Sequence, residues 1–552
     1  MKLSAAAGIL AFLGVPVSAR TQTDIYDSGG PLMAEQAAYD VEFYDLTLHV
    51  DPATRTIQGA LAAHVTVRER LEWFVLDLDT LLVVDSVVTI VPESRRGPRR
   101  VERRGGKLWI ALGRSMEAGE QLAVKIWYGG RPLSAPHRQR SWSDGFVWTE
   151  TAAGDPWIGV VSVLNGADIW WPTKDHPSDE ADSMSLHITV PQPLVVASNG
   201  RLRGVSHNAD GTSTHHWFVS TPINNYGVTI NIAPYRVIEE PYESVTGEVF
   251  PFSFWVLPEH YDDGVRQFPQ FKRHLRFLEA TLGPYPFRVD KYGVAETPYL
   301  GMEHQSIIAY GSDFQDNEFG FDWLHFHELS HEWWANMVTA ADWKDWWLHE
   351  SFGSYMEALY AEHLGGPQAY HDHMSDRPVR FVNAKPVAPT TTQRTRDIYG
   401  SDIYGKGKWI LHSLRYLIGK ETTLAVLRRM AYPDPARETA PGGCQCRLAS
   451  TAEFRDIVED VSGQDLGWFF DVYLHQSALP RLTAVRESDI LVLRWHVPEG
   501  LPFPMPLDVR IGDEMHRVPM ERGVGVVSVP AAVEPIIDPG MWVLMEFDRD
   551  AR

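Results

Sequence analysis

The sequence predicts a multidomain α+β protein that runs from a β-rich part through a mainly helical part to a second, smaller β-rich part. Three observations carry that expectation. Apolar residues alternate with polar ones from Tyr39 to about Glu240, the spacing lengthens to the helical period near residue 260, and alternation returns from about Leu482. A chain of 552 residues is too long for one core, so two to four domains are expected. The boundaries fall at 20–240, 241–478 and 479–552, after a removable leader at 1–19.

The leader has a positive start at Lys2, an apolar run from Leu3 to Val17, and small residues at Val17-Ser18-Ala19 before Arg20. That is the layout of a secretory signal, so export to a periplasmic or extracellular space is expected. No later segment reaches the ~20 apolar residues of a membrane span, and no stable membrane insertion is expected. A formal net charge of -22 argues against a nucleic-acid partner.

In the first β-rich part, Leu61, Ala63, Val65 and Val67 share one parity. So do Phe74, Leu76 and Leu78; Leu122, Val124, Ile126 and Tyr128; and Met184, Leu186, Ile188 and Val190. These are strands of antiparallel sheets with one face inward. Along the first strand the parity slips between Val41 and Phe43 on one side and Leu46, Leu48 and Val50 on the other, which predicts a bulge near Tyr44.

In the helical part, Val265 to Leu282 reads as a helix closed by Gly283, with Pro284 and Pro286 barring continuation. Next comes Phe326-His327-Glu328-Leu329-Ser330-His331-Glu332, in which His327 and His331 stand one helical turn apart. Two imidazoles so spaced can grip one Zn²⁺, with Glu328 beside them to deprotonate a water. Leu324, His327, Glu328, His331 and Ala335 fall on one stripe, so the motif faces inward. A catalytic zinc site needs three protein ligands and an open position. Glu350, at the head of the next amphipathic segment (Trp346 to Leu364), can fold back as the third.

H-E-x-x-H, eighteen residues, then E resembles the pattern of the gluzincin aminopeptidases of the aminopeptidase N and leukotriene hydrolase type. The resemblance implies an N-terminal antiparallel β saddle domain, a thermolysin-like, mainly helical zinc catalytic domain and a C-terminal β-sandwich. Tyr39-Asp40-Val41, Trp171-Pro172-Thr173-Lys174-Asp175-His176-Pro177 and Pro222-Ile223-Asn224-Asn225-Tyr226 look like segments of that saddle domain. Gly301-Met302-Glu303-His304 resembles the family's Gly-x-Met-Glu-Asn segment, whose glutamate receives the substrate's free amino terminus. An exopeptidase must recognise an ammonium, and a carboxylate in a partly desolvated cleft does so by a charge-assisted hydrogen bond. Tyr404-Gly405-Lys406-Gly407 matches the family's Tyr-x-Lys-Gly, in which the tyrosine donates to the oxyanion; Tyr399, in the near-duplicate Asp397-Ile398-Tyr399-Gly400, does not fit that setting.

The chain departs from the family pattern in places. His349 and Ser351 flank Glu350 where Asn and Gly are usual, and His304 stands where Asn is commoner. The run Ser162-Val163-Leu164-Asn165-Gly166 offers no glutamine or glutamate in register as a second amine contact; Asn165 is the nearest amide. The length leaves no room for the helical superdomain of large members, so a more open cleft is expected.

After Tyr404 a helix buries Ile410, Leu411, Leu414, Leu417 and Ile418 and ends at Gly419. Cys444 and Cys446, the two cysteines, sit in a Pro/Gly-rich loop as a local disulfide clip. Ser450-Thr451-Ala452-Glu453 reads as a capping box, and Gly463 to Leu474 continues the helical part. The last β-rich part is a small sandwich with Ile490, Val492 and Leu493, then Leu507, Val509 and Ile511, then Val524 to Val529.

The expected protein is a metallo-aminopeptidase with one Zn²⁺ on His327, His331 and Glu350. Glu328 is its base, Tyr404 its oxyanion donor, and Glu303 with Gly301 and Met302 holds peptides by their free amino terminus. Two other readings share these residues: a zinc hydrolase acting as an endopeptidase or epoxide hydrolase, and a catalytically silent scaffold.

Overall fold

The computed structural model describes residues 28–93, 96–137, 143–375, 381–442 and 444–548; the expected leader at 1–19 lies outside them. The chain is a multidomain α+β protein. Its first part is built on an eight-stranded sheet, in which Tyr39–Asp51 lies between Ser183–Pro191 and Thr56–Val67. The sheet is antiparallel except where Tyr39–Asp51 runs parallel to Ser183–Pro191. Apart from Phe43, all the alternating residues named above for this part are buried, and they meet Trp170, Trp171 and a second, five-stranded sheet in one apolar core.

The bulge of the first strand sits at Glu42, not near Tyr44. Val41 faces Val65 and Phe43 faces His64, so Glu42 has no opposite number. The extra residue flips the parity after Val41: Tyr44, Leu46, Leu48 and Val50 are buried, while Phe43 turns out against the His64 ring.

The central part opens with the antiparallel strands Arg236–Glu243 and Val249–Val256 and then the helix Tyr261–Leu282, which begins a turn earlier than expected. Asp262 and Asp263 lie in its first turn, where carboxylates complement the positive helix end, and the helix buries Phe268, Phe271, Leu275, Leu278 and Leu282. This face covers a mixed five-stranded sheet whose last member is Gly301–Met302, an edge strand antiparallel to Ile308–Tyr310. The edge strand delivers Glu303, which is buried, to the neighbourhood of His331 and Glu350.

The motif helix, Trp323–Ser330, is capped by Asp322, whose side chain accepts from the His325 N–H at 3.1 Å. It is shorter than the apolar stripe implied. His331 is its last cap, and Ala335, at φ 149°, belongs to the turn beyond. The backbone there forms wider loops, Asn336 N–H to His331 C=O and Val338 N–H to Trp333 C=O, each at 3.0 Å. The ligand helix starts at Trp347; the helical run to Ser375 is broken by Gly366 at φ 76°, followed by Pro367.

The tyrosine helix, Ser401–Ile418, packs beside the ligand helix and ends at Gly419, with Leu417 half-buried and the other expected residues inward. Cys444 and Cys446 are disulfide-bonded. Ser450 caps the helix Thr451–Ser462 by accepting from the Glu453 N–H at 3.2 Å, but the Glu453 carboxylate pairs with Arg447 at 2.6 Å. The expected helix at 463–474 is the shorter Gly467–Tyr473.

Two sheets, of four and three strands, close the described chain. In the strand Ile490–His496 the inward set is Leu491, Leu493 and Trp495, opposite in parity to the Ile490 and Val492 expected. These sheets brace the tyrosine helix. The Tyr416 hydroxyl donates to Asp508 at 2.8 Å, the Ser413 hydroxyl donates to the Trp542 carbonyl at 3.0 Å, and the His412 ring stacks on Trp542.

Candidate metal centre

His327 and His331 approach each other because the motif helix and its cap keep α geometry across both residues. Their Nε2 atoms are 3.2 Å apart, and Oε2 of Glu350 lies 3.6 Å from the first and 3.5 Å from the second. Ligands at ~2.0–2.1 Å from a tetrahedral zinc sit about 3.4 Å from one another, which is the size of this triangle. All three residues are buried, and Glu350 Oε2 has no hydrogen-bond partner among the described residues. A buried, ionised oxygen without a partner requires a cation. The donor set fits one zinc ion.

Each ligand is held from behind. His327 Nδ1–H donates to Glu357 Oε1 at 2.8 Å, and His331 Nδ1–H donates to the Trp334 carbonyl at 2.8 Å, so both Nε2 lone pairs point inward. The other oxygen of Glu350 lies 2.8 Å from the hydroxyls of Tyr399 and Tyr404 alike. Burial opposes ionisation of Glu350, yet the imidazoles of His327 and His331 facing it hold its carboxyl well below the usual range.

Glu328 lies beside the triangle. Burial, reinforced by the charges of Glu303 and Glu350 and opposed by His327 and His331, pushes its carboxyl up to about 8. Gly301 passes close by: a Cβ there would stand 2.4 Å from Glu328 Oε1 and 2.6 Å from Leu324 Cδ1, so a larger residue would push the Glu328 carboxylate or the Leu324 side chain aside. Glu303 is buried, and burial with the Glu350 charge raises its carboxyl against the pull of His331. Its backbone carbonyl accepts from Asn336 Nδ2 at 2.8 Å. Met302 is buried and paired through its backbone to Ala309.

The departures from the family pattern have local explanations. His349 Nε2 accepts from the Ala340 N–H at 2.8 Å, and Nδ1 lies 3.4 Å from the Tyr226 hydroxyl. Burial lowers His349 to about 3, so the ring is neutral and can accept. It ties the head of the ligand helix to the strand end at Ala340. Asn165 ties its backbone N–H to Asp144.

Sequence reasoning gave no site role to Glu357 and Tyr226 and set Tyr399 aside. Glu357 follows Glu350 by two helical turns, a spacing that signals a shared face. Tyr399 had a signal in its near-duplicate segment. Tyr226, whose hydroxyl is pushed up by burial and then by the charges of Glu303 and Glu350, was named in the sequence only as part of a saddle-domain segment.

Residues 271–432 match the model described as the peptidase family M1 domain. The chain is 20% identical to endoplasmic reticulum aminopeptidase 1 of Rattus norvegicus over 555 residues, which cover 89% of this chain and 57% of that protein. It is 23% identical to leukotriene A-4 hydrolase of Xenopus laevis over 61% of this chain and 54% of that protein. A solved mutant of the M1 zinc metallopeptidase of Deinococcus radiodurans, bound to a Tyr-Ser-Ala substrate, matches with a TM-score of 0.66 at 25% identity. That match covers 82% of this chain and 98% of the other. The chain spans little more than half the length of these two curated relatives. The resemblance read from the zinc motif is therefore a relationship in sequence and fold to the gluzincin aminopeptidases.

Proposed function

We propose that this chain, being related to the gluzincin aminopeptidases, is a zinc-dependent aminopeptidase that removes the N-terminal residue of peptides. The observation that carries the reading is the buried donor triangle with Glu328 and Glu303, two further buried carboxylates, beside it. A zinc ion on His327, His331 and Glu350 would polarise the scissile carbonyl and render a water acidic enough to act near neutrality.

The chain's own groups do the rest. Glu328 takes the proton of the attacking water and hands it to the leaving amine; a carboxylate whose affinity for protons is raised suits both transfers. Tyr404 donates to the oxyanion, and burial with the Glu350 charge keeps its hydroxyl protonated. Glu303 receives the substrate's ammonium. Gly301–Met302 is the edge of its sheet, so an extended peptide can add to it as a further strand.

In this reading 20–240 is the saddle domain, 241–478 the thermolysin-like catalytic domain and 479–552 the sandwich. The leader pattern and the Cys444–Cys446 disulfide support export. No helix among the described residues is long and apolar enough to cross a membrane.

The test is hydrolysis of aminoacyl chromogenic amides by zinc-loaded protein, with chelator and N-acetylated controls. Chelator-sensitive release that requires the free amine is expected. Equal cleavage of N-acetylated peptides, or preference for lipid epoxides, would replace the reading with another zinc hydrolase. A zinc-loaded protein inert on all of these would be the scaffold.

A further inference from the structure

We infer that Ser351 and Gly407 form a size-matched contact between the ligand helix and the tyrosine helix, and that this contact positions Tyr404 on Glu350. The positioning role rests on the aminopeptidase reading. Ser351 follows Glu350 directly, and Gly407 stands three residues after Tyr404. The Ser351 hydroxyl donates to the carbonyl of Ile403, the residue before Tyr404. A Cβ on Gly407 would lie 1.7 Å from Ser351 Oγ and 2.6 Å from Ser351 Cβ, so nothing larger than glycine fits opposite this serine. Ser351 is fully buried, which denies its hydroxyl any water as an alternative partner.

The two helices are thus joined at neighbouring points. One is Ser351 to Ile403; the other, a residue along each chain, is Glu350 Oε1 to the Tyr404 hydroxyl at 2.8 Å. The first is a backbone-anchored tie, and it fixes how far the tyrosine ring reaches towards the metal triangle. A displacement of about 1 Å at such a point is enough to lower turnover ~100-fold. Ser351 is therefore a positioning residue. It acts through Tyr404.

The experiment compares Ser351→Ala, Ser351→Gly, Gly407→Ala and the double variant Ser351→Gly/Gly407→Ala. Two readouts are taken: melting temperature of the zinc-free protein, and kcat, KM and bound zinc of the loaded protein. Gly407→Ala is expected to lower the melting temperature in the serine background and much less in the Ser351→Gly background, a coupling that reports the shared space. Ser351→Ala is expected to lower kcat ~10-fold, with KM within ~2-fold and one zinc retained per chain.

Equal effects of Gly407→Ala in both backgrounds would overturn the size match. An unchanged kcat in Ser351→Ala, or a loss that tracks missing zinc, would overturn the positioning role. A wild type that cleaves no aminoacyl amide overturns the aminopeptidase reading and the positioning role with it; the size match still stands or falls on the melting temperatures.

Discussion

The hydroxyls of Tyr399 and Tyr404 lie 2.8 Å apart, and both are 2.8 Å from the same oxygen of Glu350. A hydroxyl has one proton to give. In the proposed reaction Tyr404 turns its proton to the oxyanion, and Tyr399 still supplies Glu350 with a donor. Tyr404→Phe should therefore lower kcat by ~10²–10³, and Tyr399→Phe by about 10-fold with KM little changed. Steady-state kinetics decide it; a loss as large for Tyr399→Phe would make Tyr399 the direct donor.

Glu328→Gln keeps shape and hydrogen bonding but cannot carry a proton. The variant should bind one zinc per chain and lose ~10³-fold or more in kcat, a general-base contribution together with its acid return. Zinc analysis beside turnover checks this, and most of the activity surviving would remove Glu328 from the base role.

Glu357→Gln weakens the acceptor behind His327. Zinc affinity should fall 10–100-fold, and turnover should recover when zinc is supplied in excess. A metal titration under competing chelator reads the shift. Wild-type affinity would show that His327 needs no carboxylate to orient it.

Glu303→Ala should raise KM and lower kcat on free-amine substrates, by ~100-fold or more in kcat/KM, while leaving any slow cleavage of N-acetylated peptides as it was. Equal losses on both substrate types would contradict an ammonium contact.

Burial lowers His274, His304 and His349 each to about 3, so all three are neutral in the folded protein. The unfolded chain takes up these protons near pH 6.5. Between about pH 6.5 and pH 3 the unfolded state therefore binds more protons, and stability falls as the pH falls through that window. Each histidine contributes a slope of up to ~1.4 kcal/mol per pH unit. Urea unfolding of the metal-free protein at pH 7.5, 5.5 and 4.5 should show the loss, and His304→Asn should flatten it. Parallel curves for the two proteins would sink the assignment for His304.

What could be read from the sequence divides along a physical line. His327, His331 and Glu350 were legible because one helical turn and one helix start encode their convergence. The sheet faces were legible because burial repeats every second residue. Glu357 was not, since its part depends on which way the His327 ring nitrogen points. Tyr399 stood out as a near-duplicate of the Tyr404 segment, but it sits in extended backbone between two helices, where periodicity does not reveal which way its ring turns. The bulge was mislocated by two residues because Phe43 is apolar yet turns outward, and parity alone cannot tell a half-buried ring leaning on a neighbour from a core one.

The terminal sheets hold the tyrosine helix through Asp508, Trp542 and the ring stack on His412. Their apolar core is continuous with that of the central part, from Val147 to Leu544. Modularity therefore ends at this seam. Recombining these terminal sheets with the body of a relative is a graft onto the helix that carries Tyr404, and a chimera that conserves the strands but alters Asp508 or Trp542 exchanges alignment along with sequence.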